Sequence, residues 1–354
     1  MIKSKYNIIG VMSGTSLDGI DLAYISFDFD KSWKFSIHYT DTISYDNYWN
    51  EKLLKLVSLN QHELQRTDLA YTSYISKVIN QFIYKYQIKV IDAICSHGHT
   101  ALHQPDIGLT YQIGNLPKLA QLLKQQIVCD FRVQDVELGG QGAPLVPIGD
   151  RLLFSDYDYC INLGGFANVS FENNNERLAY DICPVNIVMN YYANQLGFDY
   201  DEDGNIAKSG HINFEVLDKL NALEFYKLDS PKSLGLEWVE NYIFPILEVA
   251  KLSNEDSLRT FTEHIAIQVS SSIKPNSKVL FTGGGVYNTF LTDRIKGLNS
   301  FDLIIPSDEI IQYKEALIFG LLGVLKLRND INCLSSVTGA SHDHSSGKIF
   351  TYNT

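Results

Sequence analysis

The sequence predicts an α/β protein of two similar lobes, mixed β-sheets flanked by helices and facing a shared cleft. Three observations carry this. A strand, glycine turn, strand unit occurs at Asn7–Phe27 and again at Asp158–Phe171, about 150 residues later, as a remote internal duplication would leave it. Short, mostly apolar runs such as Lys89–Cys95 and Lys278–Thr282 have the pattern of strands buried on both faces. Between such runs lie stretches with apolar residues every three or four positions, the spacing of helices with one buried side. A chain of 354 residues, 45% of them apolar, can fill two cores.

Composition removes several function classes. A formal charge of −12 disfavours a general binder of nucleic acid or anionic membrane, which needs a basic surface. The five cysteines, Cys95, Cys129, Cys160, Cys183 and Cys333, are isolated and odd in number, which fits a reduced, cytoplasmic protein. The longest apolar run, Ala316–Leu325, is too short to span a bilayer, and no signal peptide is expected.

The first unit reads as strand Tyr6–Met12, a turn over Ser13-Gly14-Thr15-Ser16-Leu17-Asp18-Gly19, and strand Ile20–Phe27. Backbone amides and hydroxyls at such a turn either meet only water or converge on an anion, with phosphate the obvious one and Asp18 and Asp21 suited to magnesium. A third strand over Lys34–Thr42 and a helix from Tyr48 follow. Leu64, Leu69, Ile75, Val78, Ile79, Phe82 and Ile83 predict a helix over about 62–86. Strand Lys89–Cys95 delivers Ser96-His97-Gly98-His99-Thr100 to a strand end, where open α/β sheets place ligands. The breaks at Gly98 and Pro105 disfavour a metal site among His97, His99 and His103. The Gly- and Pro-rich stretch after Asp130-Phe131-Arg132 reads as the crossover between lobes, with Arg132 and Asp135 facing the cleft. The lobes are expected at 1–135 and 136–329, with a polar tail from about 330 packing back on the first.

In the second half, Asn162-Leu-Gly164-Gly165 is the matching turn. A short strand Arg177–Tyr180 ends on Asp181, placed either to cap the next helix or to act as a general base. Lys232 meets either solvent or a phosphate. Gly283-Gly284-Gly285, between strand Lys278–Thr282 and a helix, permits close approach of a flat ligand or phosphate. Glu315 lies near the first turns of a helix over Ile311–Leu327, where it complements the helix dipole or serves as a second carboxylate. His342-Asp343-His344 in the tail is expected to be solvated rather than metal-binding.

These segments, taken together, resemble a known family. Gly10-Val-Met-Ser-Gly-Thr-Ser-Leu-Asp-Gly-Ile-Asp21 is similar to the N-terminal signature of the anhydro-N-acetylmuramic acid kinases, in the actin, hexokinase and heat-shock ATPase superfamily. Asp130-Phe-Arg132, Gly139-Gly-Gln-Gly-Ala-Pro-Leu-Val-Pro147, Pro231-Lys-Ser233 and Lys314-Glu-Ala316 extend the similarity in family order. It implies two RNase H-like lobes closing over ATP and a sugar. The implied activity is ATP- and Mg2+-dependent hydrolytic opening of 1,6-anhydro-N-acetylmuramic acid and phosphorylation of O6, in peptidoglycan recycling. The implied phosphate and nucleotide contacts are Ser13, Gly14, Thr15, Ser16, Asp18, Gly19, Gly164, Gly165, Gly283, Gly284 and Gly285, with Asp18 on the magnesium side through water. Asp181 is the implied base and Glu315 a helper; His97, Arg132 and Asn186 face the sugar. The chain departs from the family at His99, where glutamine is usual, and at Ile182, Cys183 and Val185, two of which replace glycines and could narrow the pocket. A related kinase acting on an ordinary hydroxyl and a nucleotide-binding regulator without turnover remain alternatives, and a homodimer is left open.

Overall fold

The opening apolar run forms strand β1 (Lys5–Ser13), which pairs antiparallel with β2 (Ile20–Phe29), itself antiparallel to β3 (Trp33–Ile43). The computed structural model describes residues 3–14 and 17–352. Beyond the meander, β4 (Ala93–Ser96) lies parallel to β1. β5 (His99–Gln104) and β6 (Leu109–Ile113) form a separate hairpin, and β7 (Ile127–Cys129) lies parallel to β4. The sheet therefore runs β7-β4-β1-β2-β3.

The second half repeats this plan. β8 (Tyr159–Leu163), β9 (Phe166–Asn173) and β10 (Glu176–Pro184) form an antiparallel meander. β11 (Lys278–Thr282) and β12 (Asp302–Ile304) add in parallel on the β8 side, giving the order β10-β9-β8-β11-β12. Both sheets thus have the RNase H-like arrangement: three antiparallel strands followed by two parallel ones on the side of the first. The expected duplication is visible in topology. After the last helix the chain forms β13 (Lys348–Phe350), antiparallel to β7, so the tail extends the first sheet.

The chain separates into two compact units, Met1–Leu153 with Tyr313–Thr354, and Phe154–Gln312. These limits differ from the expected 135/136 division because the stretch after Asp135 stays bound to the first unit. Gly142 N donates to Asp135 at 2.7 Å, Arg132 donates to the Gly142 carbonyl at 2.6 Å, and Gln141 N donates to the Thr338 carbonyl at 2.8 Å. The second limit falls within the helix Asp308–Arg328.

In the first unit that helix lies directly on β1. A Cβ on Gly10 would run into the Ala316 carbonyl, and one on Gly323 into Cys95, so small residues set the approach. The helix Gln61–Lys85 is closed at its start by a capping box between Asn60 and Glu63. Its buried stripe runs Leu64, Tyr71, Ile75, Val78, Ile79 and Phe82, whereas Leu69, expected inside, is exposed. The second unit's core gathers Ile161, Leu163 and Val169 from the meander with Leu258, Phe261 and Ile265 from the helix Asn254–Ser271.

Candidate active site

In the first unit, Met12, Ser13, Gly14, His97, Thr100, His103, Arg132, Ala143 and Glu315 line a cavity of about 530 Å³. The ends of β1 and β4, the β7 exit and the long helix bring these residues together from four distant stretches of sequence. Arg132 Nε donates to His97 Nε2 at 2.8 Å, which requires the His97 proton on Nδ1, 2.9 Å from the Gly98 carbonyl. Burial, and then the Arg132 charge, hold His97 well below its ordinary pKa, so it stays neutral and accepts from Arg132. The guanidinium has Glu315 for a counter-charge.

Glu315 lines the cavity with its side chain exposed to it. Desolvation, the largest influence, raises its carboxyl; Arg132 pulls it down, and Asp21 and Asp18 push it up again. Asp21, whose carboxyl is also raised by burial, accepts from Thr42 Oγ1 at 2.6 Å. Asp18, Asp21 and Glu315 thus form one acidic neighbourhood beside the first turn. Their oxygens are the donor type magnesium prefers, and the Asp18 charge raises the Asp21 carboxyl as Asp21 and Asp18 raise that of Glu315, so a divalent cation fits here.

The turn itself differs from its expected use. Ser13 is buried, and its Oγ lies 2.6 Å from Tyr45 Oη, 2.8 Å from Tyr71 Oη and 2.9 Å from His99 Nδ1. That hydroxyl is committed to the interior, which leaves the backbone as the part of Ser13 that faces a ligand. Thr15 and Ser16 lie outside the described residues. A Cβ on Gly19 would stand 2.7 Å from the Ile43 carbonyl, so this glycine serves the close approach of β3. Sequence reasoning missed Tyr45 and Tyr71, and left His99 without a role. The seven-residue spacing of Leu64, Tyr71 and Val78 was the available signal for Tyr71.

In the second unit the glycine turns meet. Asn186 N donates to the Gly164 carbonyl at 3.2 Å and its Nδ2 to the Leu163 carbonyl at 3.3 Å. A Cβ on Gly285 would lie 2.8 Å from Leu163 Cβ and 3.6 Å from Asn186 Oδ1. Gly283 has φ 85°, which requires glycine, while Gly165 has no neighbour within 4 Å of an added Cβ and Gly284 only Asn186 Nδ2 at 4.0 Å. Asn186, expected on the sugar side, therefore sits against the glycine patch. Open space beside a glycine turn is where a phosphate or adenine could approach backbone amides.

Asp181 is inside β10, at a bulge between Asp181 and Cys183, not at a strand end. Its Oδ2 accepts from Leu234 N at 2.9 Å; burial raises its carboxyl and this amide partly offsets the rise. Ile182, Cys183 and Val185 are 3%, 0% and 0% exposed, which places Cys183 and Val185 in the core, while Ile182 also lines a cavity of about 390 Å³ with Tyr180 and Lys232. Lys232 is half-buried and tied down: its Nζ donates to the Phe225 carbonyl at 3.2 Å and lies over the Phe225 and Tyr180 rings at 4.9 and 5.4 Å.

Two units of one RNase H-like strand order, each with glycine turns at strand ends, define the actin- and hexokinase-like class. Within that class the sequence comparisons are specific. A family model described as anhydro-N-acetylmuramic acid kinase matches residues 6–352. Proteins named anhydro-N-acetylmuramic acid kinase from Pseudomonas syringae pv. syringae and Acinetobacter baylyi are 34% and 32% identical, covering 97% and 94% of this chain and 98% and 96% of their own. One of the same name from Mannheimia succiniciproducens is 32% identical over 99% of this chain and 100% of its own. The chain belongs to the anhydro-N-acetylmuramic acid kinase family. No described helix is long and apolar enough to cross a membrane.

Proposed function

We propose that this chain is an ATP-dependent kinase that opens 1,6-anhydro-N-acetylmuramic acid with water and phosphorylates O6, giving N-acetylmuramic acid 6-phosphate and ADP in cell-wall recycling. Beyond family membership, the observation that supports this most is the gathering of His97, Arg132, Glu315 and the Ser13-Gly14 turn around one cavity. Asp181 accepts the proton of the water that attacks the anomeric carbon. The bond from that carbon to O6 breaks, and O6 attacks the γ-phosphorus as ADP leaves. A carboxyl raised by burial holds a proton more strongly than ordinary aspartate, which suits a general base near neutral pH.

Arg132, held in place by neutral His97, orients sugar oxygens, and the amides of the two glycine turns receive the phosphates. Asp18 and Asp21 would hold Mg2+, which would neutralise phosphate charge when bound. Cys183 and Val185 are fully buried and Ile182 is 3% exposed, and nothing in this packing favours a regulator without turnover. The test is Asp181→Asn, assayed by ADP release: turnover falls about 10²- to 10⁴-fold with ATP affinity nearly unchanged. An unaltered rate removes Asp181 from the mechanism.

A further inference from the structure

His344 contradicts the expectation of a solvated tail. It is 5% exposed, and its Nε2 has no hydrogen-bond partner. Its Nδ1 lies 3.0 Å from the His342 carbonyl, an arrangement that places the ring proton on Nδ1. Nε2 therefore directs a lone pair toward Asp135, whose Oδ1 is 3.6 Å away and whose residue is fully buried. Two electron-rich atoms facing each other in a buried space call for a cation between them. The third group there is Cys333, 1% exposed, with Sγ 3.0 Å from the same Oδ1.

We propose that Asp135, Cys333 and His344 form a binding site for a borderline-soft divalent cation, Zn2+ by its chemistry, which fastens the tail to the segment carrying Arg132. The three ligand atoms all lie within 4.8 Å of one another. Tetrahedral zinc with sulfur, nitrogen and oxygen ligands spaces them about 3.2–3.8 Å apart, so small rotations complete the set. One thiolate and one imidazole beside a single carboxylate select against magnesium and calcium, which take all-oxygen shells.

The surroundings are those of a built site. Cys333 and His344 face each other across an isolated antiparallel bridge, each N donating to the other's carbonyl at 3.1 Å. Asp135 is oriented by Gly142 N on Oδ2 at 2.7 Å and by Thr338 Oγ1 on Oδ1 at 2.7 Å, and the carbonyl on His344 Nδ1 is the usual outer partner of a metal-bound imidazole. On binding, the Cys333 S–H bond breaks, sulfur bonds the metal and the proton goes to solvent. Since Gly142 is held by both Asp135 and Arg132, a loaded site stiffens the Arg132 segment; the inference itself does not depend on the kinase reading.

The experiment strips purified full-length protein with a chelator and titrates it with Zn2+ alone against a chromophoric competitor, then with Co2+ in the near ultraviolet. The expected result is one Zn2+ per chain, a cobalt–thiolate absorption band and a raised thermal midpoint. His344→Gln and Cys333→Ser should each weaken binding at least about 100-fold and abolish the metal-dependent rise in midpoint. Cys160→Ser, in the other unit, should bind as the parent does. Circular dichroism of each variant checks folding, and Co2+ binding to the unmodified parent tests the site if a variant fails to fold. Zinc binding well below one per chain, cobalt binding without a thiolate band, or undiminished binding by folded His344→Gln and Cys333→Ser would overturn the proposal.

Discussion

Replacing Arg132 with methionine should damage stability, turnover and pH dependence together, because one guanidinium performs three tasks. It donates to His97 Nε2 at 2.8 Å and to the Gly142 carbonyl at 2.6 Å, and it lowers the Glu315 carboxyl. Hydrogen bonds from a charged donor contribute about 1.5–3 kcal/mol each; discounting for a half-buried side chain, the loss of two costs about 2 kcal/mol of unfolding free energy. A fixed charge and donor removed from a reaction centre lowers turnover by about 10²- to 10³-fold. The pH effect follows from sign. Glu315 already titrates above the ordinary glutamate range because burial raises it, and Arg132 opposes that rise. Without Arg132 the carboxyl rises further, so the contribution of Glu315, the helper carboxylate, to the acidic limb of kcat moves to higher pH. Coupled ADP release across pH, with urea unfolding of the same preparations, reads all three. Turnover within about threefold of the parent, with an unmoved acidic limb, would refute the assignment of Arg132 and Glu315 to one site.

Other expected outcomes rest on single contacts. Gly165→Ala and Gly284→Ala meet almost nothing in the protein, so each should leave the thermal midpoint unchanged while raising the KM for ATP about tenfold or more; unchanged KM values would remove the glycine patch from nucleotide binding. Gly10→Ala would press a methyl group into the Ala316 carbonyl and should lower stability by about 1–3 kcal/mol or more in urea unfolding, a result a tolerant strand–helix contact would not give. His99→Ala removes a partner of Ser13 Oγ at 2.9 Å beneath the first turn; ADP release should show the KM for ATP rising more than kcat falls, and a parent-like KM would make the Ser13 network purely structural.

The strand and helix plan was legible because burial imposed period: the two meanders, the helix Gln61–Lys85 and the strand before Gly283 all announce themselves in apolar spacing. The hairpin of β5 and β6 was not, since His103 and Gln104 lie on it exposed and interrupt any alternation. β13 is three residues long, too short for periodicity to register, and depends on pairing with β7 for its existence. The interior strand position of Asp181 was concealed by a bulge, which only the register with Asn168 and Ala167 reveals. At the sites, glycine and carboxylate positions could be picked out one by one. What sequence could not supply was the commitment of Ser13 Oγ to Tyr45, Tyr71 and His99, or the burial of His344 against Asp135. Both depend on partners tens to hundreds of positions away, so no local pattern encodes them.

The most direct test is the mass of the sugar product formed from ATP, Mg2+ and 1,6-anhydro-N-acetylmuramic acid in water enriched in heavy oxygen. Ring opening by water predicts a product heavier by one phosphate and one labelled water, with the label on the anomeric oxygen. A product that gains phosphate without the label would contradict hydrolytic opening and leave an ordinary sugar kinase in its place.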